Sequence, residues 1–120
     1  MHQFKDLKVW QKGRKLVKVI YKLTQRLPKD EQYGLSSQMR RAAISIPANI
    51  AEGCGRNGDK ELNRFLDIAN GSAYELETLV TLCFDLDYIT QAVSEEFVTA
   101  LNEIQKMIFG LKQSVSNSTS

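Results

Sequence analysis

With a single histidine, His2, near one end of its 120 residues, the chain has little from which to build acid–base catalysis. The Glu-x-x-His pairs of a bundle di-metal site are missing altogether. Cys54 and Cys83, the two cysteines, share no CxxC spacing and read as reduced, partly buried thiols. No apolar run approaches the roughly 18–20 residues of a membrane span. The polar opening Met1–Asp6 does not resemble a signal peptide, so a cytoplasmic protein without a membrane partner is expected. The glycines of Gly53-Cys-Gly-Arg-Asn-Gly58 have neither the GxxxxGK(S/T) pattern nor the preceding strand of a phosphate loop. Measured against the roles an active site must fill, these absences leave no catalytic residue, metal, cofactor or small-molecule substrate to expect. The chain reads as a non-enzyme.

What remains is an ordinary globular composition, 42% apolar and 25% charged, in an uneven order. The net charge of +2 hides two opposed halves: residues 1–29 hold nine Lys/Arg against Asp6 alone, a balance of +8. Residues 59–103 hold ten Asp/Glu against Lys60 and Arg64, a balance of −8. Such a dipole steers an anionic partner, or pairs the acidic and basic faces of like subunits.

Periodicity predicts one domain over residues 1–113, built from helices at about 7–27, 34–54, 59–87 and 91–113, with a flexible serine-rich tail at 114–120. Asp6 is the expected N-cap of the first helix and Pro28 its stop. Val9, Gly13, Leu16, Ile20, Leu23 and Leu27 form a heptad seam, widened by Trp10, Val17 and Tyr21. Lys8, Lys12, Lys15, Lys18, Lys22 and Arg26 share about a third of the circumference on another side. They are either a solvated face or a stripe that contacts phosphates. In the third helix, expected to be capped by Asp59, Leu62, Phe65, Leu66, Ala69, Ala73, Leu76, Leu79, Val80, Cys83 and Leu86 make a broad apolar band, and Gly71-Ser72-Ala73 is expected to admit a neighbour closely. Thr90 is the expected cap of the fourth helix, whose seam runs through Val93, Phe97, Leu101, Ile104, Ile108, Leu111 and Val115.

The second helix is the unusual one, because residues 42–51 carry no charge. Met39, Ala42, Ala43, Ile46 and Ile50 gather on one side, as packing into a core requires. Arg41, Ser45, Asn49 and Glu52 form a narrow polar ladder, read as a hydrogen-bonded network that sets helix or subunit register. Ile44, Pro47, Ala48 and Ala51 fill much of the remainder, so neighbouring helices or another subunit must cover more than one side. Pro47 removes the hydrogen bond to Ala43 and is expected to kink the helix. Short loops between four helices imply an antiparallel up-down-up-down bundle, an all-α fold.

The run Gln38-Met-Arg-Arg-Ala-Ala-Ile-Ser-Ile-Pro-Ala-Asn-Ile-Ala-Glu-Gly53 resembles the signature of the bundle proteins encoded in intervening sequences of bacterial 23S rRNA genes, the S23-like family. Phe4-Lys-Asp-Leu-Lys-Val-Trp10, Arg64-Phe-Leu-Asp-Ile-Ala-Asn-Gly-Ser72 with Glu75-Leu-Glu77, and Ile104–Leu111 extend the likeness over nearly the whole chain. The resemblance implies a homopentameric, ring-like assembly without catalysis. It also implies kinship with the accessory variability proteins of diversity-generating retroelements, which form such rings, bind nucleic acid and partner a reverse transcriptase. The older "ribosomal protein" label refers to gene location. Two functions follow as expectations. One is a homo-oligomer that meets RNA or DNA through the basic first helix, with a reverse transcriptase as a further partner. The other is a purely structural or protein-interaction ring whose lysines are neutralised by acidic helices.

Overall fold

A computed structural model describes residues 3–118, and its elements among them are helical. Helix α1 spans Lys8–Gln25, α2 Leu35–Cys54, α3 Asp59–Asp85 and α4 Gln91–Ser118, with 3₁₀ turns at Phe4–Asp6 and Lys29–Glu31. The Cα envelope measures 48 × 23 × 20 Å, close to the roughly 42 Å that 28 residues of α-helix occupy at about 1.5 Å each.

Side-chain pairs fix the packing direction. Gly53 lies against Leu62 and Phe65, Ser45 bonds Ser72, and Cys83 Sγ is 3.6 Å from Met39 Sδ. Position numbers therefore rise along α3 as they fall along α2, so the two helices are antiparallel. Gly13 against Ile46 and Pro47, with Thr24 meeting Ser36 and Arg40, gives the same sense for α1 and α2. Asn63–Ser116 and Glu77–Gln105 give it for α3 and α4. The expected up-down-up-down order of four helices follows. At one end Glu31 ties the α1–α2 connection to the α3–α4 connection: Oε2 accepts from the Tyr88 hydroxyl at 2.9 Å and Oε1 from the Leu35 amide at 3.3 Å, satisfying one free donor at the start of α2.

The neutrality of α2 now has a cause. Met39, Ala43, Ile46 and Ile50 are fully buried, because α2 is flanked by α1 on one side and α3 on the other. Pro47 belongs to this internal packing: a Cβ on Gly13 would stand 3.4 Å from its Cδ. Pro47 is thus a contact with α1, not the outward residue its sequence position suggested. The helix continues through it.

Several expected ends move. Asp6 does not cap α1; it lies in the preceding 3₁₀ turn, and Leu7 occupies the N-cap with no side-chain bond. The turn is held instead by Phe4 packing edge-on against Trp10 at 5.2 Å and by Gln11 Nε2 donating to the Lys5 carbonyl at 2.8 Å. Asp59 is the first residue of α3 rather than its cap. Gly58 holds that place with φ 91° and ψ 157°, a region essentially reserved for glycine. Thr90 does cap α4, its Oγ1 accepting from the Val93 amide at 3.2 Å. The α3 end is a Schellman motif, with Tyr88 N–H bonded to the Cys83 carbonyl and Asp87 N–H to that of Phe84. Asp87 takes the left-handed position, φ 63°, where glycine is more usual.

Helix α4 does not stop near residue 113. It runs to Ser118, with Val115 only 2% exposed and Asn63 Nδ2 donating to Ser116 Oγ at 3.3 Å. The serine-rich composition disfavours helix, but packing along the start of α3 overrides local propensity. Only residues 119 and 120 of the expected tail lie outside the described region, as does His2.

The close approach between α2 and α3 is made at Gly53, not Gly71. A Cβ on Gly53 would stand 2.9 Å from Phe65 Cβ and 3.0 Å from Leu62 Cδ1, whereas one on Gly71 meets nothing within 4 Å. Gly53→Ala wedges the helices apart at a cost of about 1–3 kcal/mol, more than the roughly 1 kcal/mol of helix propensity it gains. Gly71→Ala keeps the propensity gain alone. Thermal melts are expected to shift in opposite directions, several degrees down for the first and a few up for the second.

Candidate nucleic-acid interface

Leu16 and Ile20 turn the apolar seam of α1 into the core, and the 3.6-residue repeat then leaves its lysines outside. Lys8, Lys15, Lys18, Lys22 and Arg26 are exposed. Lys8 to Arg26 spans roughly 27 Å of helix by its rise per residue, enough to face several phosphates of one strand. Lys12 departs from the stripe: its Nζ reaches Glu103 Oε1 of α4 at 2.5 Å. This pair is solvent-exposed on both sides, so it is worth at most about 1 kcal/mol, but it offsets the charge of Lys12. A second cross-bundle pair joins Lys112 to Asp67.

Sequence spacing had omitted two members of the face. Gln11, Arg14, Lys15 and Lys18 line a shallow recess of about 270 Å³. The Arg14 guanidinium also lies over the Trp10 ring, 5.5 Å from its centroid. Their signal was present as the 11, 14, 15, 18 helical spacing, hidden because Gln11 carries no charge. Arg40 is basic too, but it is committed to the fold. Its Nε donates to Thr24 Oγ1 at 2.8 Å and its guanidinium stacks on Tyr21 at 4.4 Å.

The polar ladder on α2 is partly formed. Asn49 Nδ2 donates to Ser45 Oγ and to the Ser45 carbonyl, both at 2.8 Å, and Ser72 of α3 bonds Ser45 Oγ at 2.7 Å. Glu52 is not part of that network; it pairs with Arg56 at 2.8 Å, one turn on. Arg41 makes no bond to that network but is exposed and lines a recess of about 310 Å³ beside it, with Gln38, Ala42, Ser45, Ser72 and Glu75. Of the four residues expected to face outward, Ile44 is 43% exposed and Ala48 exposed, while Ala51 and Pro47 are half-buried.

The two cysteines sit in the core. Cys83 is fully buried, and burial, reinforced by the Glu31 charge, pushes its thiol up to about 11. Burial raises Cys54 as well. Both stay protonated at neutral pH, where a thiol is a poor nucleophile. Among the described residues there is no cluster of His, Cys, Asp or Glu able to hold a metal ion, and no helix long and apolar enough to cross a membrane.

The geometry can be set beside known proteins. A crystal structure of a protein of unknown function from the S23 ribosomal protein family of Bacteroides thetaiotaomicron superposes with a TM-score of 0.81 at 26% identity, covering 88% of this chain and 95% of the other. No curated protein matches the chain. The model of the 23S rRNA-intervening sequence protein family matches residues 5–110. With nearly the whole described bundle inside that match, the chain belongs to the 23S rRNA-intervening sequence protein family.

Proposed function

We propose that this protein is a non-enzymatic homo-oligomeric scaffold that holds RNA or DNA along the exposed basic face of α1. The observation that carries the reading is the arrangement of Lys8, Lys15, Lys18, Lys22 and Arg26 on one exposed side of a helix, extended by Arg14. A polyanion is the partner for such a stripe, since each neutralised phosphate releases counterions. Self-association is supported by the outer face of α2 and α3. Ile44 and Ala48 lie exposed there, and Ile68 and Leu82 flank Glu75 at seven-residue spacing on α3, also exposed. Arg41 and Glu75 add one charge of each sign to that face. A pentameric ring is the assembly that the family resemblance implies.

A purely structural ring is favoured by one observation: Lys12 is already neutralised by an acidic helix, through Glu103. Reversing the charge of α1 separates the two readings. Light scattering after size exclusion is expected to leave the particle mass unchanged, while the shift of RNA in a low-salt gel is lost. A fall in mass with binding intact would favour the structural ring.

A further inference from the structure

Asn63, Asn70 and Glu77 stand seven residues apart along the edge of α3 that meets α4. Asn63 Nδ2 bonds Ser116, and Glu77 Oε1 accepts from Gln105 Nε2 at 3.0 Å. Asn70 lies between these two pairings, and its buried Oδ1, like that of Asn63, has no donor among the described residues. At that point the seam widens into a recess of about 480 Å³ lined by Asn70, Tyr74, Asn102, Gln105, Lys106 and Phe109, within the roughly 300–1,000 Å³ of clefts that hold small ligand groups. Tyr74 is 55% and Phe109 61% exposed. Trp10, Tyr21 and Phe65 each carry an arginine over the ring, but among the described residues Tyr74 and Phe109 have neither a cation nor a second ring against them.

Large rings left in water, side-chain amides and an ammonium group together match one class of ligand. Unpaired bases stack on aromatic faces, offer edge donors and acceptors to amides, and bring a phosphate within reach of a lysine. We propose that this recess holds a base of single-stranded RNA or DNA. The base stacks on Tyr74 and Phe109 and meets the exposed side-chain amide of Asn102, with Lys106 beside the backbone phosphate. Duplex bases are excluded because their faces are already stacked and their pairing edges already bonded. The site uses no residue of α1, so it goes beyond the basic-face reading and can fail separately from it.

Fluorescence anisotropy with a labelled single-stranded RNA of about 12 nucleotides, a length within known single-strand site sizes, and with its perfect duplex tests the proposal. The double variant Tyr74→Ala/Phe109→Ala is expected to weaken single-strand binding by about 10- to 100-fold, the scale of lost base stacking, and to leave duplex binding unchanged. Phe109→Tyr, which keeps a ring, is expected to retain single-strand binding. Single-strand affinity unchanged in the double variant overturns the site, as does a wild-type protein that binds no single strand. So does a fall in particle mass in the double variant with binding intact, which would give the recess to a second copy. If the aromatic variant alone loses binding and Lys8, Lys15 and Lys18→Glu does not, this site stands and the α1 reading falls. The opposite pattern retains α1 and removes the recess.

Discussion

Ile44→Glu is expected to convert the proposed homo-oligomer into single chains without unfolding them. In the isolated chain Ile44 is 43% exposed, so a glutamate there can turn its carboxylate to water. Fold stability should change by no more than about 0.5 kcal/mol, as for other surface substitutions. If the proposed homo-oligomer uses this face, the same position is covered there by a neighbour. Loss of apolar burial costs about 1.5–3 kcal/mol, and an unpaired carboxylate taken out of water costs several more. Every chain bears the substitution, so each contact that uses this face is weakened. Subunit dissociation constants are expected to rise by at least about 10³-fold, since 1.4 kcal/mol corresponds to tenfold. Light scattering at micromolar protein should then give the mass of one chain, with a helical spectrum like that of the parent. An unchanged mass would place the subunit contact elsewhere.

The other large effect belongs to the basic face. Lys8→Glu, Lys15→Glu and Lys18→Glu together remove three exposed cations and replace them with groups that repel phosphate. Each lost contact lowers the slope of log K against log salt by about 0.7 on a single strand or 0.9 on a duplex. The triple variant is expected to lose about two units of slope and on the order of a hundredfold in affinity at low salt, uniformly across sequences. Lys12→Ala should weaken binding less than Lys15→Ala, because the Lys12 ammonium already faces Glu103. Equal effects of the two would mean that Lys12 leaves Glu103 when nucleic acid binds.

Much of the bundle was legible because its signals are local and repeated. The α1 seam from Val9 to Leu27, the α3 band and the α4 seam through Val115 are periodic patterns, and the buried residues fall on them. The uncharged stretch of α2 correctly announced a helix covered on two sides. What it could not announce was which side remained open. Pro47 and Ile44 are three residues apart, yet one touches Gly13 across α1 and the other faces water. Only the position of α1 decides between them. Two of the three expected caps failed for a related reason: Asp6 and Asp59 have the chemistry, as Thr90 does, but the neighbouring backbone placed Leu7 and Gly58 at the cap positions. Tertiary pairings such as Tyr88 with Glu31, or Ser72 with Ser45, link residues far apart in sequence and leave no periodic trace. At the candidate site the lysines were readable from spacing. Arg14 and Gln11 were not, since their membership depends on the recess they share with Lys15 and Lys18.

The role of α1 is tested most directly by titrating a labelled RNA with the wild-type protein at four or more salt concentrations. If α1 seats a strand along Lys8, Lys15, Lys18, Lys22 and Arg26, log K should fall linearly with log salt with a slope of roughly −3 to −4, at about 0.7 per single-strand phosphate. A slope near zero, or no binding at the lowest salt, would contradict it.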